Sequence, residues 1–203
     1  RYTLRLLTSQ QFERASALFL SLDDIRKNHP ELGEREFSIG LWVGSSVTFN
    51  QQKEAARWHD QLETVSWSSW NWVLQRCPRC AKEFGLKREG GRLIPFGVAR
   101  DERGHVHLSC SCNGANAKLP IHIIDDDVYD TLPSLVVATV DKFARLPWKP
   151  ISSRLLGVNA KGKGEHSKLA LIIQDELHLM DGPLGTIAGL YEAGIDYLIS
   201  CTS

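Results

Sequence analysis

The sequence predicts an α/β fold: a parallel sheet with flanking helices, interrupted by a small cysteine-bearing insertion. Three observations predict it. Residues 169–173 are an unbroken apolar run, Leu169-Ala170-Leu171-Ile172-Ile173, leading through Gln174 into Asp175-Glu176. Apolar runs without alternation suit strands buried on both faces of a parallel sheet. Residues 1–44 read as strand, helix, strand, an order that favours parallel pairing. Four of the five cysteines fall in two close pairs, Cys77 with Cys80 and Cys110 with Cys112, inside a glycine-rich stretch of short strands.

The chain has 203 residues, enough for one or two domains with a real core. Its 24 basic and 24 acidic residues balance, so no global basic field advertises a nucleic-acid partner. No apolar run approaches the ~20 residues that span a bilayer, and no secretory leader pattern opens the chain. A cytoplasmic location is expected. The first residue is Arg1, not Met, and the sequence is expected to be an internal piece of a longer protein.

In order along the chain, residues 2–8 read as a strand and 9–27 as a helix, with Ser9 as its N-cap and Phe12, Ala15, Leu18, Phe19 and Leu22 at helical spacing. His29 to Glu34 breaks that helix, and residues 37–44 form a second strand. Residues 50–75 read as helix, with Trp58, Trp67, Trp70 and Trp72 crowded into it. Such aromatics serve core packing or a platform for bases, core packing being the commoner use. Residues 92–99 and 105–109 are short strands joined by the turn Asp101-Glu102-Arg103-Gly104. The sheet pattern returns at residues 119–124, followed by Asp125-Asp126-Asp127 at a helix start, and again at 134–139. A short helix over 141–146, a loop over 152–168 and a helix over 184–199 complete the reading. The expected organisation is 1–75 as the first part of the α/β lobe, 76–114 as the insertion, and 115–203 as the remainder.

Two constellations carry chemistry. Cys77-Pro78-Arg79-Cys80 and Cys110-Ser111-Cys112 predict a structural Zn²⁺ site, because zinc takes four tetrahedral ligands and two tight turns supply two thiolates each. The tight Cys-x-Cys spacing leaves His105 or His107 as a substitute ligand, and a redox-active pair or plain buried thiols are the competing readings. The second constellation is Asp175, Glu176 and His178 at the tip of the apolar run. In open parallel sheets the chemistry sits beyond the carboxyl ends of strands. There the first carboxylate of such a pair holds Mg²⁺ and the second polarises an attacking water. The competing reading is a helix cap.

Asp175-Glu176-Leu177-His178 resembles the Walker B motif of superfamily 2 helicases in its Asp-Glu-x-His form. Residues 7–15, Leu7-Thr8-Ser9-Gln10-Gln11-Phe12-Glu13-Arg14-Ala15, resemble motif Ia of that superfamily. Val136-Val137-Ala138-Thr139-Val140-Asp141-Lys142-Phe143 resembles motif Ib, with Val140 and Lys142 where Pro and Arg are usual. The three occur in the expected order. The segments Arg1 to Thr8, Leu135 to Ala144 and Gln174 to Gly185 are similar to the helicase subunit of DISARM-type bacterial phage-defence systems. The resemblance covers nearly the whole chain. It implies a partial RecA-like lobe, ATP with Mg²⁺ at Asp175, water activation by Glu176, and His178 coupling ATP state to nucleic-acid grip. It also implies phosphate contacts from Thr8, Gln10, Gln11, Thr139 and Lys142, DNA rather than RNA as partner, and other defence-system subunits as possible partners.

A Gly-x-x-x-x-Gly-Lys-Ser/Thr loop is absent from the sequence, as is a second lobe, so these 203 residues alone are not expected to hydrolyse ATP. Two other readings remain: a non-catalytic zinc module binding nucleic acid or protein, and a metal-dependent nuclease. The nuclease lacks a further acidic residue at suitable spacing.

Overall fold

The computed structural model describes residues 2–44, 47–62, 64, 68–70, 72–112, 114, 117–139, 142, 146, 148–158, 169–174 and 183–200. It is a mixed α/β structure with a small parallel sheet and flanking helices. The chain forms two compact units, Arg1–Ala138 and Thr139–Ser203.

The first unit opens with helix α1, Tyr2–Lys27. The strand expected over residues 2–8 is not there: one helix runs through Ser9, which therefore is not an N-cap. Leu4, Arg5, Leu6 and Leu7 are good helix formers, and no Gly or Pro interrupts them. Phe12, Ser16, Leu20 and Asp23 are buried along α1, a stripe at helical spacing. Buried Asp23 accepts hydrogen bonds from Arg26 Nε at 2.7 Å and from the Phe37 N–H at 2.9 Å, and pairs with Lys27 Nζ at 2.9 Å. Burial alone raises this carboxyl, but the three donors outweigh it and hold the group below the usual range. The contact fixes the end of α1 to the segment entering β1, Ile39–Trp42.

Strand β1 is the centre of the parallel sheet. It lies between β7, Ile121–His122, and β8, Leu135–Ala138, with Ile39 opposite both Ile121 and Leu135. The parallel sheet is thus as expected, but it is not built from a first β-α-β unit, since both neighbours of β1 come from late in the unit. Helix α3, Asp125–Thr131, follows β7 and places Asp125, Asp126 and Asp127 in its first turn, where the helix dipole favours negative charge. Gly40 is the point of closest approach between α3 and β1. A Cβ there would lie 2.9 Å from Pro133 Cγ and 3.3 Å from Val128 Cγ1. The Trp42 indole N–H donates to the Tyr129 hydroxyl at 2.7 Å, tying strand to helix within the core.

Helix α2 is Gln52–Gln61, shorter than the 50–75 expected. Beyond it the tryptophans pack inward. The Trp58 and Trp72 ring centroids are 5.8 Å apart and Phe49 lies 5.7 Å from Trp72, both edge-on. Burying these rings overrides the helical spacing, so Trp58, Trp70 and Trp72 serve the core; Trp67 lies outside the described residues.

Two small antiparallel elements follow. The hairpin of β2, Gly85–Glu89, and β3, Arg92–Phe96, turns on Gly90 and Gly91, both at positive φ, as a tight two-residue turn requires. Strands β4, Val98–Arg100, β5, Val106–Cys110, and β6, Ala117–Lys118, form a three-stranded sheet. Gly97 makes the bend from β3 to β4 at φ +98°, and a Cβ there would fall 2.2 Å from the Phe84 ring. This cysteine-bearing segment shares one core with α1, β1 and α2, through Cys77, Phe84, Val98, Val106, Leu108 and Cys110. Gln52 reinforces the join. Its amide donates to the Val106 carbonyl at 3.0 Å and to Asp127 Oδ2 at 2.7 Å, and accepts from the Val106 N–H at 2.9 Å.

In the second unit a 3-10 helix occupies Pro150–Leu156, overlapping the start of the 152–168 stretch expected to be loop, and ends at Gly157 with φ +77°. Helix α4 is Pro183–Ser200, close to the expected 184–199. The buried strand expected at residues 169–174 is not present. That segment belongs to no sheet, with Leu171 72% and Ile173 79% exposed. An apolar run becomes a buried strand only where neighbouring strands satisfy its backbone, and spacing in sequence does not supply them. Among the described residues no helix is long and apolar enough to cross a membrane.

His122, on β7, is 6% exposed, and its burial, with Lys118 adding to it, pushes the imidazole down to about 4. The unfolded group titrates near 6.5, so the folded state disfavours the proton. The resulting stabilisation is complete above pH 6.5 and is lost as pH falls through about 4. The loss is about 3 kcal/mol. Urea midpoints at pH 7 and pH 4 should therefore fall further for the wild type than for His122→Asn. Parallel declines in the two proteins would show that His122 does not carry this acid sensitivity.

Candidate metal centre

The first pair of thiols sits on a tight turn. The Ala81 N–H donates to the Cys77 carbonyl at 2.8 Å, and the Cys77 N–H to the Lys82 carbonyl at 2.8 Å. Ala81 closes the turn at φ +59°, a left-handed conformation that costs an L-residue with a Cβ roughly 1–2 kcal/mol. The strained turn aims Cys77 and Cys80 the same way. The second pair is simpler. Cys110 ends β5 and Cys112 lies two residues on, past a turn at Ser111.

The four Sγ atoms lie within 4.8 Å of one another. Cys77 and Cys112 are 3.8 Å apart, and Cys80 and Cys110 3.6 Å. A tetrahedral zinc with Zn–S bonds of ~2.3 Å sets sulfur–sulfur edges of ~3.8 Å, whereas a disulfide needs ~2.05 Å. All four are free thiols. The cluster fits a four-thiolate zinc site. His105 and His107 are not part of it: among the described residues the metal-competent group is the four cysteines.

The surroundings suit a metal more than bare thiols. Burial pushes the Cys77 thiol up to about 12 and raises Cys112 as well. Cys80 moves the other way, pulled down chiefly by the Lys82 N–H. A metal-free Cys77 is therefore protonated at neutral pH, and a bound cation would displace that proton, so affinity falls on acidification. Arg76 and Lys82 flank the turn in sequence and add positive charge near a four-thiolate centre. Lys82 Nζ also donates to Ser111 Oγ at 3.1 Å, linking the two cysteine turns. Arg79 Nη2 donates to Asp24 Oδ1 at 2.7 Å, tethering the first turn to α1. With four protein ligands no coordination position stays open, so the metal would hold structure and perform no catalysis.

Thr8, Gln10 and Gln11 lie within α1, and Gln10 and Gln11 are exposed. The strand-end setting expected for Thr8 is absent. Thr139 follows β8, half-buried, and its carbonyl accepts from the Lys142 N–H at 3.0 Å. Lys142 is 2% exposed. Asp175, Glu176 and His178 lie outside the described residues.

No protein-family model matches the chain. The chain is similar to the DISARM protein DrmA of Bacillus paralicheniformis, with 33% identity over 232 aligned residues covering 98% of this chain. That similarity along nearly the whole chain relates it to a DISARM component. The chain spans about 20% of the length of that relative.

Proposed function

We propose that the chain is part of a DISARM-type phage-defence protein, and that the whole protein is an ATP-dependent nucleic-acid helicase or translocase acting in the cytoplasm, on DNA in preference to RNA. The observation that carries the defence reading is the similarity to DrmA along 98% of the chain. The helicase reading rests on Asp175-Glu176-Leu177-His178 and on the order of the three motif-like segments. The parallel β7-β1-β8 sheet with α3 beside it is compatible with a partial RecA-like lobe. Strand ends before Thr8 and Asp175 do not support it, since residues 2–8 are helical and 169–174 join no sheet.

In this reading Asp175 holds the Mg²⁺ of bound ATP, Glu176 activates the attacking water, and His178 couples the nucleotide to the nucleic-acid grip. Thr8, Gln10, Gln11, Thr139 and Lys142 contact the backbone of the tracked strand, and other defence-system subunits are partners. Zinc at Cys77, Cys80, Cys110 and Cys112 staples the segment between β1 and β7. The intact protein is expected to hydrolyse ATP faster when single-stranded DNA is added, read by phosphate release. The other reading, a non-catalytic zinc module, is favoured by the four-sulfur geometry alone. Absence of ATP hydrolysis by the intact protein at saturating DNA would select it.

A further inference from the structure

We infer that the outward face of the β2–β3 hairpin, carrying Lys87, Arg92, Ile94 and Phe96, is a contact surface for single-stranded nucleic acid. This rests on the nucleic-acid reading above and locates one of its surfaces. The charge distribution is the first support. The chain is neutral overall, yet between Arg76 and Arg100 seven residues are basic and two acidic. Two of the seven, Arg79 and Arg100, are taken up by ion pairs with Asp24 and Asp60. Lys87 and Arg92 are exposed and have no ion pair among the described residues.

Register supplies the second support. Lys87 stands opposite Ile94, Glu89 opposite Arg92, and Gly85 opposite Phe96. These share one face, because directly opposed residues in an antiparallel pair point the same way. The other face carries Leu86 and Leu93, which pack on the core. The first face is therefore the outward one, and Ile94 on it is 37% exposed. Its rows are ~7 Å apart, two residues of strand rise; Lys87 stands beside Ile94 and over the Phe96 ring, and Arg92 stands beside Glu89, so the face keeps one net positive charge.

Phe96 points to the ligand class. Its opposite position is glycine, and a Cβ at Gly85 would meet nothing within 4 Å. The Gly85 side of the half-buried ring therefore carries no side chain. Lys87 Nζ lies 4.5 Å from the ring centroid, on a flexible stem that can swing to a phosphate and leave the ring to a base. Cations with an accessible aromatic ring are the features that bind single strands without sequence preference, one for the backbone and one for stacking. An acidic peptide would use the cations but not the ring.

The test uses the intact zinc-loaded protein, a fluorescein-labelled oligo-dT of about 20 nucleotides, longer than the ~4–16 that one binding module covers, and anisotropy titrations across salt concentrations. Lys87→Ala/Arg92→Ala is expected to weaken binding at least tenfold at low salt. The slope of log affinity against log salt should shrink by about 1.4, at ~0.7 for each single-strand phosphate that is no longer neutralised. Phe96→Leu should weaken binding with little change in slope. The double variant should keep wild-type zinc content and melting temperature, because Lys87 and Arg92 are exposed, and Phe96→Leu should keep wild-type zinc content. Wild-type binding with an unchanged double variant overturns the hairpin assignment and leaves the nucleic-acid reading standing. No oligonucleotide binding by the wild type at low salt overturns both. Equal competition by polyglutamate reassigns the face to acidic protein and overturns the proposal.

Discussion

Stripping the metal from the four-cysteine centre is expected to unfold the unit that contains it. Structural zinc contributes roughly 10–16 kcal/mol of apparent binding free energy in small modules, while whole domains are stable by only about 5–15 kcal/mol. The cysteine-bearing segment is not an appendage that can melt alone. Cys77 and Cys110 belong to the same core as Ile39, Leu41 and Ile121 of the parallel sheet, and the Gln52 side chain joins α2, β5 and α3. Metal analysis should find one zinc per chain. A competing chelator should then lower the melting temperature by more than about 10 °C, given the 2–4 °C per kcal/mol usual at this size. Cys110→Ser should do the same by removing a buried ligand. Complete metal removal with no change in melting, or purified protein without metal, would sink the centre as described.

Glu176→Gln in the intact protein is expected to reduce ATP turnover by about 10²–10⁴-fold, the range for losing a general base, while ATP binding stays near wild type. The substitution removes the proton acceptor but keeps the shape, so binding and chemistry separate. Loss of binding with loss of turnover would show that Glu176 supports the nucleotide pocket instead. Normal turnover would remove Glu176 from the mechanism and return Asp175-Glu176 to a helix cap.

The cysteine centre was legible because metal ligation is partly a local property. A Cys-x-x-Cys turn and a Cys-x-Cys strand end each present two thiols whatever surrounds them, and only the meeting of the pairs depends on the fold. The same holds for β1, β8, α3 and the Asp101–Gly104 turn, where local pattern and tertiary setting agree. The errors fall where burial is decided at a distance. Residues 2–8, with Leu4, Leu6 and Leu7, and the apolar run 169–173 say that a segment can be buried and not what will cover it. One became the start of α1, and the other joins no sheet. Strand β3 falls within the expected 92–99, but β2 and its turn into β3 were missed although Gly90-Gly91 is a strong turn signal. The Lys87-Arg88-Glu89 segment of β2 lacks the apolar alternation by which strands are recognised, because Arg88, on the face shared with Leu86, is charged and exposed as well.

The position of β1 governs the order in which this unit can assemble on the ribosome. Ile39 pairs with Ile121 and Leu135, so one edge of β1 stays unsatisfied until β7 has emerged and the other until β8 has. At roughly 5–20 residues per second, that interval lasts several seconds. Pairing across such long loops is also intrinsically slow. The cysteine turns lie between these partners in the chain. Their closure around a metal would shorten the loop that must close before β7 reaches β1. Metal supply during synthesis would then set how long the nascent strand stays exposed to aggregation.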